Sequence, residues 1–224
     1  MGSRKFPKKV VWVGLLVAGV GSVAAWSLSG RQKSLDVYGQ VPGFSMIERS
    51  GREFRQADLQ GKVWVANFIY THCPDTCPFQ NAELLKVQAD LAGEKDFRIV
   101  SISIDPELDT PEVLSRFADT LGAHPDRWLF LTGEKRAIYR LAQEGFRLSV
   151  VDPREEARGP VSLLRFIQPR EAWAHHPGPI QLFAHSSRFV LVDRRGRIRG
   201  YYHSDEAEDL ERLRQDAFVL LRGK

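Results

Sequence analysis

A chain of 224 residues, 43% hydrophobic and 27% charged with 18 Gly and 12 Pro, has the composition of one ordinary globular domain plus a short extra segment. That composition excludes a disordered, collagenous or polytopic membrane protein. The net charge of +4 arises because Arg4, Lys5, Lys8 and Lys9 precede residue 30 while every acidic residue follows it. Beyond that point the two signs balance, so no face is expected to neutralise phosphates and nucleic acid is not an expected partner.

From Val10 to Gly30 the chain carries no charge. As a helix this run would span about 31 Å, which matches a bilayer core. Basic residues precede it, and Arg31 and Lys33 follow it closely; the positive-inside bias places the N-terminus in the cytoplasm and the bulk of the chain outside. A cleaved secretory signal is the alternative. The length of the run and Trp26, a poor neighbour for cleavage near Ser22-Val23-Ala24, favour a retained anchor. With no Cys near the end of the run, a lipobox is not expected. The expected organisation is a basic tail over 1–9, a transmembrane anchor over 10–30, a linker over 31–35 and a domain over 36–224. The domain is expected on the extracytoplasmic, periplasmic side of the inner membrane.

Within the domain, residues 36–61 carry turn signals at Pro42-Gly43 and Ser50-Gly51 and predict an extended lead-in with a hairpin. Val63 to Tyr70 is a β-branched and aromatic run, short enough to be a buried strand, and it leads into His72-Cys73-Pro74. A helix is predicted from Pro78 to Gly93, with Pro at its first position. Strand 97–104, helix 111–121 closed by Gly122, strand 128–131 and helix 134–144 closed by Gly145 follow. Residues 146–184 have no clean period and contain Pro153, Pro160, Pro169, Pro177 and Pro179, which predicts a long excursion. A hairpin over 188–202 and an amphipathic helix over 205–221 complete the domain. The order predicts an α/β fold with a central mixed β-sheet flanked by helices. Four arginines, 194, 195, 197 and 199, decorate the hairpin. They read as a guard on an edge strand rather than a docking surface.

The chain has two cysteines, Cys73 and Cys77, placed where the buried strand gives way to a helix. Two inert apolar thiols would not need this spacing at a helix mouth, and a structural disulfide closing so small a loop removes little entropy from the unfolded chain. A helix N-terminus favours the thiolate, which is both nucleophile and metal ligand. The functional reading, thiol–disulfide exchange or soft-metal binding, is favoured over a structural disulfide and over two buried thiols, which stay open on the residues alone. The three intervening residues differ from the two of a thioredoxin-type exchanger. Soft-metal sites commonly recruit an imidazole as a further ligand. Of the six histidines, His72 adjoins Cys73 and points to the other side of the chain, His124 lies in a polar loop, and His175-His176 read as a solvated pair. His203 follows the terminal hairpin and can cap the last helix. His185 precedes the strand at 188 and could reach the cysteine mouth if that strand is central.

The segments Asn67-Phe68-Ile69-Tyr70-Thr71-His72-Cys73-Pro74-Asp75-Thr76-Cys77-Pro78, Ser103-Ile104-Asp105-Pro106-Glu107, Asp109-Thr110-Pro111-Glu112 and His185-Ser186 resemble the Sco/SenC family of membrane-anchored, thioredoxin-fold copper proteins. With the anchor and the strand order, the resemblance covers most of the chain. It implies a thioredoxin-like fold and copper held by Cys73, Cys77 and His185. It also implies delivery of copper, or of reducing equivalents, to the binuclear copper site of cytochrome c oxidase, with other copper chaperones or thiol reductants as further partners. Oxidation of Cys73 and Cys77 to a disulfide would abolish the site. The chain would then be a metallochaperone rather than an enzyme; a thiol–disulfide oxidoreductase, with Cys73 attacking and Cys77 resolving, is the alternative. Two departures from the family stand out: the excursion is long, and Ala184 stands where many relatives carry an acidic residue before the histidine.

Overall fold

The computed structural model describes residues 34–72, 76–151, 184–185 and 187–223, with the backbone alone at 76, 77, 151, 184 and 185. The predicted anchor at 10–30 and residues 152–183 of the excursion, with His175 and His176, lie outside the described residues. Among the described residues no helix is long and apolar enough to cross a membrane.

In chain order the elements are β1 (Gly39–Gln40), β2 (Ser45–Glu48), β3 (Glu53–Arg55), a 3-10 turn (Gln56–Leu59), β4 (Val63–Ile69), α1 (Thr76–Asp90), β5 (Phe97–Ser103), α2 (Pro111–Leu121), β6 (Trp128–Thr132) and α3 (Lys135–Arg140). A π-turn (Leu141–Gly145), β7 (Val150–Val151), β8 (Ala184–His185), β9 (Arg188–Val192), β10 (Arg197–His203) and α4 (Ala207–Arg222) follow. Eight strands form one mixed sheet in the order β1-β10-β9-β4-β5-β6-β2-β3, and β7 pairs with β8 apart from it. β4 is central, parallel to β5 and antiparallel to β9. All seven of its residues are buried, which is why it reads as an unbroken apolar run rather than an alternating one.

Trp64 and Phe68 meet Phe146 edge-on, with centroids 6.0 and 5.5 Å apart. Trp128 stacks on Phe130 at 5.4 Å, and its indole Nε1–H donates to Ser101 Oγ at 2.8 Å. Ser101 passes its own proton to Asn67 Oδ1 at 2.7 Å, so one buried polar chain crosses β6, β5 and β4. Local signals set α2: the Thr110 hydroxyl accepts from Val113 N–H, Pro111 occupies the first turn, and Gly122 closes the helix at φ 74°.

Four expectations require correction. Helix α1 starts at Thr76 rather than at Pro78, so Cys77 lies inside its first turn. Proline is tolerated there because first-turn N–H groups have no partner within the helix. The predicted helix 134–144 is α-helical only to Arg140 and ends in the π-turn, where a Cβ at Gly145 would lie 2.9 Å from both Leu141 and Pro42. The first residues of the excursion belong to the core: Phe146, Leu148 and Val150 are buried while Arg147 and Ser149 are exposed. Finally, β10 is not an edge, because β1 pairs with it in register Gly39–Ile198 and Gln40–Arg197.

Three of the four hairpin arginines, Arg194, Arg197 and Arg199, pair with carboxylates of the domain rather than standing free along an edge. Arg197 and Arg199 each approach the buried Asp193 carboxylate at 2.8 Å. The guanidinium of Arg199 also donates to the carbonyls of Leu35 and Asp36. Arg194 reaches Asp96 at 2.8 Å, and Lys62 with Arg194 holds that carboxyl down to about 2. Arg195 is exposed.

Candidate functional site

Open α/β sheets bind ligands beyond the carboxyl ends of their parallel strands. Here β4 and β5 end together, with Ile69 opposite Ser103, and the Ile104 N–H closes onto the Ile69 carbonyl at 2.9 Å. Beyond Ile69 the chain runs through Tyr70, Thr71 and His72 toward Cys73, which lies outside the described residues. It resumes at Thr76, and Cys77 is the second residue of α1.

The turn after β5 supplies a clamp for this segment. The Asp105 carbonyl accepts from the N–H of Leu108 at 3.1 Å and of Asp109 at 2.8 Å, which turns the Asp109 side chain inward. Asp109 has no exposed surface. Its carboxylate accepts from the Thr71 hydroxyl at 2.5 Å, the Thr71 N–H at 3.1 Å and the Ser103 hydroxyl at 2.5 Å. Burial raises the Asp109 pKa, the bonds from Ser103 and Thr71 oppose that rise, and the nearby Asp105 charge adds to it. The residues that lead into Cys73 are therefore held by a buried carboxyl group from a different loop. On the other side, His72 is exposed and its Nδ1 lies 3.1 Å from Thr71 Oγ1.

His185 enters from the opposite direction. Its backbone pairs with Val150 in the β7–β8 ladder, three residues ahead of β9. β9 runs against β4 with Trp64, Val65 and Ala66 opposite Val192, Leu191 and Val190. Going back along β9 from Val190 therefore advances toward the end of β4 that leads to the cysteines. A buried tie joins the two sides: Gln80 of α1 donates to Ser204 Oγ at 3.2 Å, and Ser204 Oγ donates to the Ser187 carbonyl at 3.0 Å. Gln80 is one turn beyond Cys77, and Ser187 is two residues beyond His185.

Of the other histidines, His124 is exposed and its Nδ1 accepts from Asp126 N–H at 3.3 Å. His203 ends β10, and its backbone N–H, not its ring, donates to Asp209 Oδ2 at 2.8 Å near the start of α4. Among the described residues no three His, Cys, Asp or Glu side chains cluster as a metal site; the side chains of Cys73, Cys77 and His185 are not among them. Thr71, Ser103 and Asp109 are site residues that sequence reasoning does not single out. Asp109 and Thr71 are 38 residues apart, and the Asp-Pro turn beside Asp109 is too common a signal to point across the sheet.

These features define a thioredoxin-like domain whose cysteine pair spans the junction between the central strand and its following helix. The model of the SCO1/SenC family matches residues 34–164, more than half of the chain, and the chain belongs to that family. It is 34% identical over 143 residues to the SCO1 protein homolog of Bacillus subtilis, covering 63% of this chain and 74% of that one. The mitochondrial SCO2 homolog of Mus musculus is 34% identical over 98 residues, 42% of this chain and 37% of that protein. The structure of BsSco, a Sco-family cytochrome c oxidase assembly protein in which a disulfide switch is identified, superimposes with a TM-score of 0.66 at 28% identity, covering 86% of this chain and 99% of that one. Yeast Sco1 with copper bound superimposes with a TM-score of 0.57 over 79% of this chain and 87% of that one, and at 22% identity the likeness is one of fold.

Proposed function

We propose that this chain is a copper metallochaperone in which Cys73, Cys77 and His185 hold copper as cargo. It delivers that copper, or reducing equivalents, to the binuclear copper site of cytochrome c oxidase. The observation that carries the reading is the buried Gln80–Ser204–Ser187 tie, which holds the start of the Cys77 helix against the strand segment just after His185. Membership of a family with a copper-bound member supports it. The donor set fits the cargo: two thiolates and a neutral imidazole suit Cu(I), and loading releases the thiol protons. Oxidation of Cys73 and Cys77 to a disulfide, with loss of two protons and two electrons to an acceptor, removes both sulfur ligands. The run at 10–30 acts as the membrane anchor and keeps the domain on the periplasmic side.

The disulfide switch identified in BsSco favours a second reading, a membrane-anchored thiol–disulfide oxidoreductase using the same pair. Copper stoichiometry and optical absorption on the reduced chain separate the two. One copper per chain with a thiolate-to-Cu(II) charge-transfer band, lost in Cys73→Ser and His185→Ala, supports the chaperone. Failure to hold copper, with ready disulfide exchange that survives His185→Ala, supports the oxidoreductase.

A further inference from the structure

Two arginines flank the β7–β8 ladder: Arg147 lies three residues before Val150, and Arg188 three residues after its partner His185. The sheet register brings them to one place. Ala66, Val190 and Tyr201 stand side by side across β4, β9 and β10. Residues two apart in a strand share a face, so Arg188 and Tyr201 lie on the side where Trp64 and Phe68 meet Phe146, and Arg147 follows Phe146. Both positive charges act on the Tyr201 hydroxyl, where they oppose the rise in pKa that burial causes. Each arginine is exposed, and among the described residues neither has a carboxylate partner, whereas Arg194, Arg197, Arg199 and Arg214 are all paired. Arg147 is also the one residue other than glycine with a positive φ, 55°, among those described. It follows the π-turn, where the Leu148 N–H closes onto the Ala142 carbonyl at 2.9 Å. Glycine makes such a turn without strain, so the turn accounts for the backbone of Arg147 but not for its side chain.

The ground around the two charges is apolar. Tyr38 meets the Tyr201 ring edge-on with centroids 5.8 Å apart, and Tyr38 and its neighbour Val37 are 49% and 53% exposed. Beside Arg147 an open cleft of about 330 Å³, lined by Gln143, Leu148, Ser149 and Val150, has room for an inserted side chain. Unpaired like charges over such ground repel one another, and a carboxylate relieves that repulsion while accepting two parallel bonds from a guanidinium. Arginine and tyrosine are also the residues that dominate binding at protein interfaces. Two cations fall short of the roughly four to eight that an anionic membrane surface attracts. We propose, resting on the copper reading above, that Arg147, Arg188 and the Tyr38–Tyr201 pair are the docking surface for the protein that receives the cargo. An acidic segment of that partner, a carboxylate flanked by an apolar side chain, seats on it. The two charges steer the encounter, and docking there sets the partner beside the strand that carries His185.

The test uses the full, metal-free chain in detergent with thiols reduced, and the purified copper-site subunit of the oxidase as probe, in surface plasmon resonance at two ionic strengths. Arg147→Gln and Arg188→Gln should each raise the dissociation constant about tenfold, with slower association at low salt, and Arg188→Glu should raise it further. Added salt should weaken the parent more than either glutamine variant. Arg195→Gln, an exposed arginine at the far end of the hairpin, should bind like the parent. Calorimetry checks the fold: losing an exposed, unpaired arginine should move Tm by no more than about 2 °C. Glutamine variants that keep their Tm and bind as tightly as the parent overturn the surface. A parent that does not bind the subunit overturns the partner, and if sedimentation then shows parent dimers that Arg188→Glu dissolves, the occupant is a second copy of this chain. Copper stoichiometry of the parent is measured alongside. A parent that docks through these arginines yet takes up no copper overturns the copper reading and not the docking surface.

Discussion

Replacing Asp193 with Ala tests whether the basic hairpin is an internal brace. The carboxylate is 5% exposed. Its Oδ1 accepts from the N–H of Arg195 at 2.9 Å and of Arg197 at 3.0 Å, and its Oδ2 accepts from Arg197 Nε and Arg199 Nη1 at 2.8 Å each. Burial pushes the Asp193 pKa up, but the bonds from Arg197, Arg199 and Arg195 outweigh it and the folded value lies below the usual one. In Asp193→Ala, Arg197, whose side chain is 36% exposed, regains water, whereas Arg199, at 10%, keeps two carbonyls and loses its counter-charge. Breaking a buried pair costs about 3–5 kcal/mol, and the retained carbonyls put the expected loss near the lower limit, about 3 kcal/mol. For a domain of this size that is a fall in Tm of roughly 6–12 °C, read by calorimetry and checked by urea unfolding. Because the folded pKa is depressed, the stabilisation is fully present above the unfolded value of about 3.9 and is lost as pH falls through the folded value. The gap between parent and variant should therefore be constant from neutral pH down to about 5 and close only in stronger acid. A loss below about 1 kcal/mol, the range of an exposed pair, would refute the brace and return the arginines to a surface role.

Two further outcomes follow from the packing. Gly200 sits at a register shift in β10, where an added Cβ would lie 2.6 Å from Cζ of the buried Tyr202. Gly200→Ala must displace that ring from its 2.9 Å bond to Asp216, so a loss of about 3 kcal/mol is expected in urea titration, and a neutral variant would show that the ring has room to move. Trp128→Phe removes the donor to Ser101 while keeping a ring to stack on Phe130. It should cost about 1–3 kcal/mol, and much of that loss should disappear on a Ser101→Ala background; strict additivity of the two changes would contradict the buried chain.

Strands β4, β5 and β6 and helix α2 are legible in the sequence because their signals are local. A fully buried strand is an unbroken apolar run, and Thr110-Pro111 with Gly122 marks both ends of a helix within its own neighbourhood. The start of α1 is less legible, since Pro78 is compatible with several positions in a first turn. β1 has two residues, too few for any period, and it is β1 that turns β10 from an edge into an interior strand. The alternation Phe146, Leu148, Val150 is a period-two signal overshadowed by the prolines that follow. At the site, the cysteine spacing is visible by eye and His185 enters through family resemblance. The clamp of Asp109 on Thr71 and the tie from Gln80 to Ser204 join residues 38 and 124 positions apart, and side-chain identity alone does not reveal such pairings.

The cover that β1 lays over β10 sets where the chain tolerates cutting. Tyr38 N–H and Val41 N–H bond to the carbonyls of Ile198 and Gly196 at 2.9 Å, and Arg199 grips the carbonyls of Leu35 and Asp36. A protease or an engineer trimming the chain back past residue 40 would bare the backbone of Arg197 and Ile198, and so extend the open side of a seven-residue strand to its first residues. Such a strand recruits a second chain by pairing with it, so the trimmed domain would fail by sticking to its own copies rather than by losing its core.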